Sequence, residues 1–250
     1  MQKPLSHGRY ERLIIHAPHA GEILPVHREK HPMVTYYKRR KISATHNILC
    51  DHYTDKLFAS TLPSVLQISF PFSRLFCDVE RLINDPLEAK GLGICYDTEL
   101  FIHYGYNNQV WQLTKEQAVG LYNAHHIALK EAMRGGGLLL DCHSFSEIDN
   151  ILCPNAHTFK DIDICLGFNE DNSKPDEDTI QFISSFFRLH GYSIAYNQPF
   201  SNAITTGRGC SLMIEVNKHC YMNEQTLQIT PGYYKLHSEL QELYSLLLNH

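Results

Sequence analysis

Three apolar runs in this chain each lead into residues that ordinarily avoid a protein interior, and this restricts the fold more than any other feature. Leu13-Ile-Ile runs into His16, His19 and Glu22; Leu138-Leu-Leu into Asp141 and His143; Leu212-Met-Ile into Glu215. A short apolar run of this kind reads as a central strand buried on both faces. Ionisable groups at its end are costly unless metals, hydrogen bonds or counter-charges satisfy them. The chain therefore reads as one that delivers polar groups to one edge of a buried sheet.

The spacing predicts strands at Leu13–His16, Val65–Phe70, Leu75–Val79, Leu138–Cys142, Ile162–Gly167, Tyr192–Tyr196 and Leu212–Val216. Helices are expected over Ile42–Ala59, Lys115–Met133, Asp176–His190 and Tyr233–Leu248. Ala118, Leu121, Tyr122, His125, Ile127 and Leu129 roughly follow one helical stripe, and Gly135-Gly-Gly137 stops that helix before a strand. Asp176 is placed to cap the third helix. Strands alternating with helices predict an α/β three-layer sandwich, a mostly parallel mixed sheet flanked by helices. Open sheets of this class bind ligands beyond the carboxyl ends of their strands, where the polar residues fall.

At 250 residues, with 43% apolar and 20% charged residues, the chain suffices for one large core, and no linker-like stretch divides it. We expect a single domain over residues 1–250. The net charge of -5 offers no basic field for nucleic acid. Neither a leader-like apolar segment nor a run of about 18 apolar residues is found, so no membrane contact and a cytoplasmic setting are expected. The eight cysteines form no CxxC pair and are expected to be free thiols of the interior.

In His16-Ala-Pro-His19-Ala-Gly-Glu22, the glycine permits a tight turn, so that His19 and Glu22 can converge on one ion; His16 with His19 is a competing pair. Strand alternation puts Asp141 and His143 on one face and turns Cys142 to the other. Asp141 can then hold the second nitrogen of His143. Ser144 lacks the elbow of a serine hydrolase. Glu215, flanked by Ile214 and Val216, is set to have a raised pKa, suited to moving a proton; the alternative is an ion pair with Lys218 or Arg208. Arg74, Arg81 and Arg208 are candidates to grip a carboxylate, or to pair with Asp78 or Glu80. Two imidazoles and a carboxylate can hold zinc with a position left open for water, and a further carboxylate can take that water's proton. These residue types point to a zinc-dependent hydrolase.

Five segments in order resemble the N-formylglutamate amidohydrolase family. They are Pro18-His-Ala-Gly21, Phe70 to Arg81 with its Asp-Val-Glu-Arg, Asp141-Cys-His-Ser144, Asn197-Gln-Pro-Phe200 and Ile214-Glu-Val-Asn-Lys-His-Cys-Tyr-Met222. The resemblance implies a zinc carboxypeptidase-like (phosphorylase/hydrolase-like) core and hydrolysis of the N-formyl or other N-acyl amide of an acidic amino acid. It implies one divalent cation, Zn²⁺, on His19, Glu22 and His143, with Glu215 as general base and Arg81, Arg74, Arg208 and Asn197 toward the substrate. Asp51 and Asp55 are alternatives to Glu22 as the carboxylate ligand. Glu80 stands where the family carries the Asn of an Asn-Arg pair, and Ser201-Asn202 where it often has two glycines. A peptidase or deacylase of the carboxypeptidase type, or a binding protein without turnover, are the competing readings.

Overall fold

The computed structural model describes residues 10–26, 35–37, 44–97, 99 and 115–248. Its strands are β1 (Leu13–Ala17), β2 (Leu24–Val26), β3 (Thr35–Tyr37), β4 (Val65–Ser69), β5 (Leu138–Phe145), β6 (Ile164–Gly167), β7 (Ile194–Tyr196), β8 (Cys210–Asn217), β9 (Met222–Asn223) and β10 (Gln228–Ile229). Six of them form one sheet in the order β4-β1-β5-β8-β6-β7. β4, β1, β5 and β8 are mutually parallel; β6 lies antiparallel to β8 and parallel to β7. β2 with β3, and β9 with β10, form separate two-stranded ladders.

Alternation along the central strands divides the interior into two layers. Leu13, Ile15, Leu138, Leu140, Cys142, Leu212, Ile214 and Val216 share a cluster with Ile183 and Phe187 of the helix Glu177–Leu189 and Leu240 and Tyr244 of the helix Pro231–Leu247. Ile14 and Leu139 point the other way, against Leu129 of the helix Lys115–Ala132 and Met133. Helices thus cover both faces, giving the mostly parallel mixed α/β sheet expected. All eight residues of β5 are buried. Truncating one of its leucines to alanine would cost about 2–5 kcal/mol through lost burial and a residual cavity.

Local chemistry sets the helix ends that feed this sheet. The Asp176 side chain accepts from the backbone N–H of Thr179 at 2.7 Å and caps the helix that follows. After Lys115–Ala132 the chain tightens into a 3₁₀ turn, and Gly136 and Gly137 take φ values of 78° and 119° before entering β5. A side chain at Gly137 would also strike the Arg12 carbonyl oxygen at 2.8 Å. Only glycine fits there.

Two sequence expectations are corrected. Leu75–Val79 forms turns instead of a strand, with Phe76 and Cys77 both donating backbone N–H groups to the Ser73 carbonyl. Its apolar side chains serve two clusters, Leu75 in one and Phe76, Cys77 and Val79 in another, which a straight strand in one sheet would not do. The helix expected over Ile42–Ala59 is broken into Ala44–Leu49 and Thr54–Leu57, with residues 42 and 43 outside the described residues. Tyr53, at φ 68°, makes the break. Among the described residues no helix is long and apolar enough to cross a membrane.

Candidate functional site

Sheet register brings the polar residues together before any loop contributes. His16 on β1 is level with Asp141 on β5, and His143 on β5 is level with Glu215 on β8. Level residues of adjacent strands share a face. All four therefore leave the sheet on the side of Ile14 and Leu139, while Cys142 turns into the opposite layer and donates its thiol proton to the Leu140 carbonyl.

Two loops complete the cluster. Beyond β1 the chain bends at His19, and two residues on, at Gly21, any side chain would collide with the carbonyl oxygens of Phe70 and Phe72. The break in the 44–57 helical region leaves Asp51 in non-helical backbone, and its N–H donates to the His19 carbonyl at 3.0 Å. Asp51 Oδ2 then lies 3.7 Å from His19 Nδ1 and 3.2 Å from His143 Nδ1. Each residue of this trio offers one ligand atom within 4.8 Å of the other two, and all three side chains are buried.

The remaining nitrogens are fixed from behind. His19 Nε2 is 2.8 Å from Asp78 Oδ1, and His143 Nε2 is 3.0 Å from Asp141 Oδ1. A carboxylate on the far nitrogen of each imidazole is the arrangement that orients metal-ligating histidines. His19 Nδ1, by contrast, is buried with no hydrogen-bond partner. Two imidazoles and a carboxylate that converge, one nitrogen orphaned, fit a divalent cation such as zinc by donor chemistry.

Opposite charges face one another at close range around this trio. Burial alone would raise the pKa of Asp51, but His143 and His19 outweigh it and hold the carboxyl well below the usual range. Asp78 is likewise held low against burial by Arg74 and His19; the Arg74 Nη2–Asp78 Oδ2 distance is 2.9 Å, and Tyr96 donates its hydroxyl to the same oxygen. Glu215 behaves oppositely. Burial pushes its carboxyl up to about 8 even though His143 pulls it down, and its Oε2 has no hydrogen-bond partner. These groups open on a cavity of about 770 Å³ whose wall includes His19, Asp51, His143, Glu215, Glu80 and Arg81.

The sequence matches the N-formylglutamate amidohydrolase family over residues 11–222. The chain belongs to the N-formylglutamate amidohydrolase family. A solved structure, the N-formylglutamate amidohydrolase from Ralstonia eutropha JMP134, shares the fold at 19% identity and a TM-score of 0.69. The likeness covers 95% of this chain and 93% of that one. No match was found among curated proteins.

In this amidohydrolase family member, the structure groups His19 and His143 with Asp51 and not with Glu22. Glu22 instead meets His52, its Oε1 3.3 Å from His52 Nδ1, in a separate group with Cys50. Asp55 lies beyond the Tyr53 break, in the first turn of Thr54–Leu57. His16 stands behind the trio, bonded to Asp141 at 2.9 Å and to His125 at 2.8 Å.

Arg81 and Arg74 both reach the cavity wall, but Arg74 is committed to Asp78 and Tyr96. Arg208 and Asn197 are not among the wall residues. Arg208 is exposed and donates to the Arg134 carbonyl, and Asn197 uses its Oδ1 to accept from the Phe168 N–H at 2.9 Å. Glu215 is free of the ion pairs weighed from sequence, since the Lys218 ammonium donates to the Ile48 carbonyl. Asp78 as the support of His19, and His125 as the support of His16, carried no sequence signal beyond being polar residues in apolar stretches.

Proposed function

We propose that this chain is a metal-dependent amidohydrolase that cleaves the N-formyl or other N-acyl amide of an acidic amino acid such as N-formyl-L-glutamate. The observation that carries this reading is the convergence of His19, Asp51 and His143 beside Glu215, which keeps a buried, unpartnered oxygen. His19 and His143, through their Nδ1 atoms, and Asp51 would hold one divalent cation, with zinc favoured by the mixed nitrogen and oxygen donors. Bound there, such an ion supplies Lewis acidity toward the amide oxygen and lowers the pKa of water toward about 7.

The protein's own groups do the rest. Glu215 takes a proton from the attacking water and returns it to the amide nitrogen, which must be protonated to leave. Its apolar flanks keep competing water away and its raised pKa suits both halves of that transfer. Arg81 stands beside Tyr96 and Asp78, its Nε 3.6 Å from Asp78 Oδ2 and without a hydrogen bond, and from the cavity wall its guanidinium can turn that edge to the substrate carboxylate. Arg74 instead fixes Asp78, and through it His19.

Glu80 favours a second reading of the substrate. Its carboxyl lies on the cavity wall 3.3 Å from His16 Nδ1, and burial followed by Asp141 keeps its pKa well above the usual range. A buried carboxyl that resists ionisation tolerates a neutral substrate side chain as readily as an acidic one, so N-acyl amides of uncharged amino acids are the competing substrates.

Metal content should be measured together with turnover of N-formyl-L-glutamate before and after chelation, beside N-acetyl-glutamate, N-formyl-glutamine and a dipeptide. We expect turnover to fall on chelation and return with Zn²⁺. Full activity in metal-free protein would overturn the proposal.

A further inference from the structure

We propose that Asp163, His219 and Cys220 form a second metal site, independent of the one that opens on the cavity, which takes a borderline-soft divalent cation such as Zn²⁺. Asp163 sits just before β6, and His219 and Cys220 lie in the 3₁₀ turn Lys218–Cys220 that follows β8. Because β6 runs antiparallel to β8, the start of one strand meets the end of the other. One ligand atom from each residue falls within 4.8 Å of the other two.

Each of these residues is already oriented as a ligand. Asp163 gives Oδ2 to the Ser193 backbone N–H at 2.7 Å and to its hydroxyl at 2.9 Å, which leaves Oδ1 facing the cluster. His219 Nε2 is 2.8 Å from that Oδ1, and the Cys220 sulfur is 3.6 Å from it. His219 Nδ1 is held from the opposite side by Glu147 Oε1 at 2.5 Å, and Asn217 donates to the same carboxylate oxygen at 3.3 Å. A carboxylate behind an imidazole whose other nitrogen faces an oxygen and a sulfur repeats the support seen at His19 and His143.

The donor set selects the ion. One nitrogen, one carboxylate oxygen and one sulfur suit zinc and exclude magnesium or calcium, which take oxygen ligands. Two carboxylates around one imidazole attract a cation, and the side chains of His219 and Asp163 are 40% and 25% exposed, which admits the ion and a completing water. On binding, the thiol proton of Cys220 passes to solvent and a sulfur–metal bond forms, with no change of oxidation state. None of the three residues lines the cavity that holds Glu215. The site would instead clip the start of β6 to the end of β8.

The test uses the whole chain with both cavity imidazoles removed, His19→Ala with His143→Ala, stripped by chelator and titrated with Zn²⁺ and with Co²⁺. We expect about one equivalent to bind, Tm to rise by roughly 2–4 °C, and Co²⁺ to give a thiolate-to-metal charge-transfer band. Adding Cys220→Ser should abolish the band, and adding Glu147→Gln should weaken binding by about 10–100-fold. Should the double variant bind no metal while the wild type binds one equivalent, this inference fails and the amidohydrolase reading survives. Binding of one equivalent by both proteins sustains this site and removes the metal from the His19 trio. Metal binding without the cobalt band would also overturn the ligand set.

Discussion

His143 and Glu215 stand level on adjacent parallel strands, and both side chains leave the sheet on the same face. The group proposed to hold the ion and the group proposed to carry the proton are therefore spaced by backbone hydrogen bonds, not by a loop. Glu215→Gln keeps the size and burial of the side chain but removes the proton acceptor. We expect turnover to drop by about 10²–10⁴-fold with metal content unchanged, read by steady-state kinetics beside elemental analysis. Wild-type turnover would remove Glu215 from the chemistry.

Asp141 Oδ1 accepts from both His143 Nε2 and His16 Nδ1, and Oδ2 accepts from the Ile204 N–H at 2.8 Å. Asp141→Asn leaves His143 without a carboxylate behind it. Metal affinity should weaken by about 10–100-fold in competition with a chelator, before any large change in Tm. An unchanged affinity would mean that His143 ligates nothing.

Asp51 and Glu22 make opposite predictions. Asp51→Asn should strip metal and activity, whereas Glu22→Gln, acting beside His52, should leave both close to wild type. Metal analysis of the two purified variants decides, and loss of metal in Glu22→Gln alone would restore the ligand set implied by the sequence resemblance.

The two cavity arginines should fail differently. Arg74→Met leaves Asp78 buried without its main partner, and we expect a loss of about 3–5 kcal/mol in denaturant unfolding. Arg81→Met removes a half-buried guanidinium and should raise KM for carboxylate-bearing substrates by about tenfold or more, with little effect on unfolding. Equal KM values for wild type and Arg81→Met would exclude it as the carboxylate grip.

Asp55 offers a pH test away from the metal trio. Burial raises its folded pKa above the unfolded one, so ionisation opposes folding and the chain loses stability as pH rises through those two values. Asp55→Asn should accordingly have the higher Tm at pH 7, by roughly 1–2 °C after allowing for its partial exposure, with the difference gone near pH 3. A variant less stable than wild type at pH 7 would contradict the burial argument.

The sheet was legible because its strands are short apolar runs whose period of two also sorted Asp141 and His143 from Cys142. His143 and Glu215 follow the apolar starts of β5 and β8, and His19 lies two residues past β1, so the same pattern picked them out. Asp51 stayed only an alternative because periodicity treats residues 42–59 as one helix. The break across residues 50–53 combines a left-handed Tyr53 with the Asp51 N–H bound to the distant His19 carbonyl, which no local pattern encodes. Leu75–Val79 misled for a related reason: apolar residues serving two clusters look like a strand until their partners are known. Arg208 and Asn197 had side chains suited to a substrate, but their neighbours on the backbone claim them first.

Strand β5 is buried along its length and clamped between β1 and β8, so it behaves as a rigid ruler for the reaction. A slip of one residue would present the Cys142 thiol where the His143 imidazole now points. Retuning of this enzyme, by selection or by design, is thereby confined to the rim of the cavity, where Glu80, Arg81, Ser201 and Asn202 sit outside the sheet. Substrate preference can drift there while the spacing of the reacting groups stays constant.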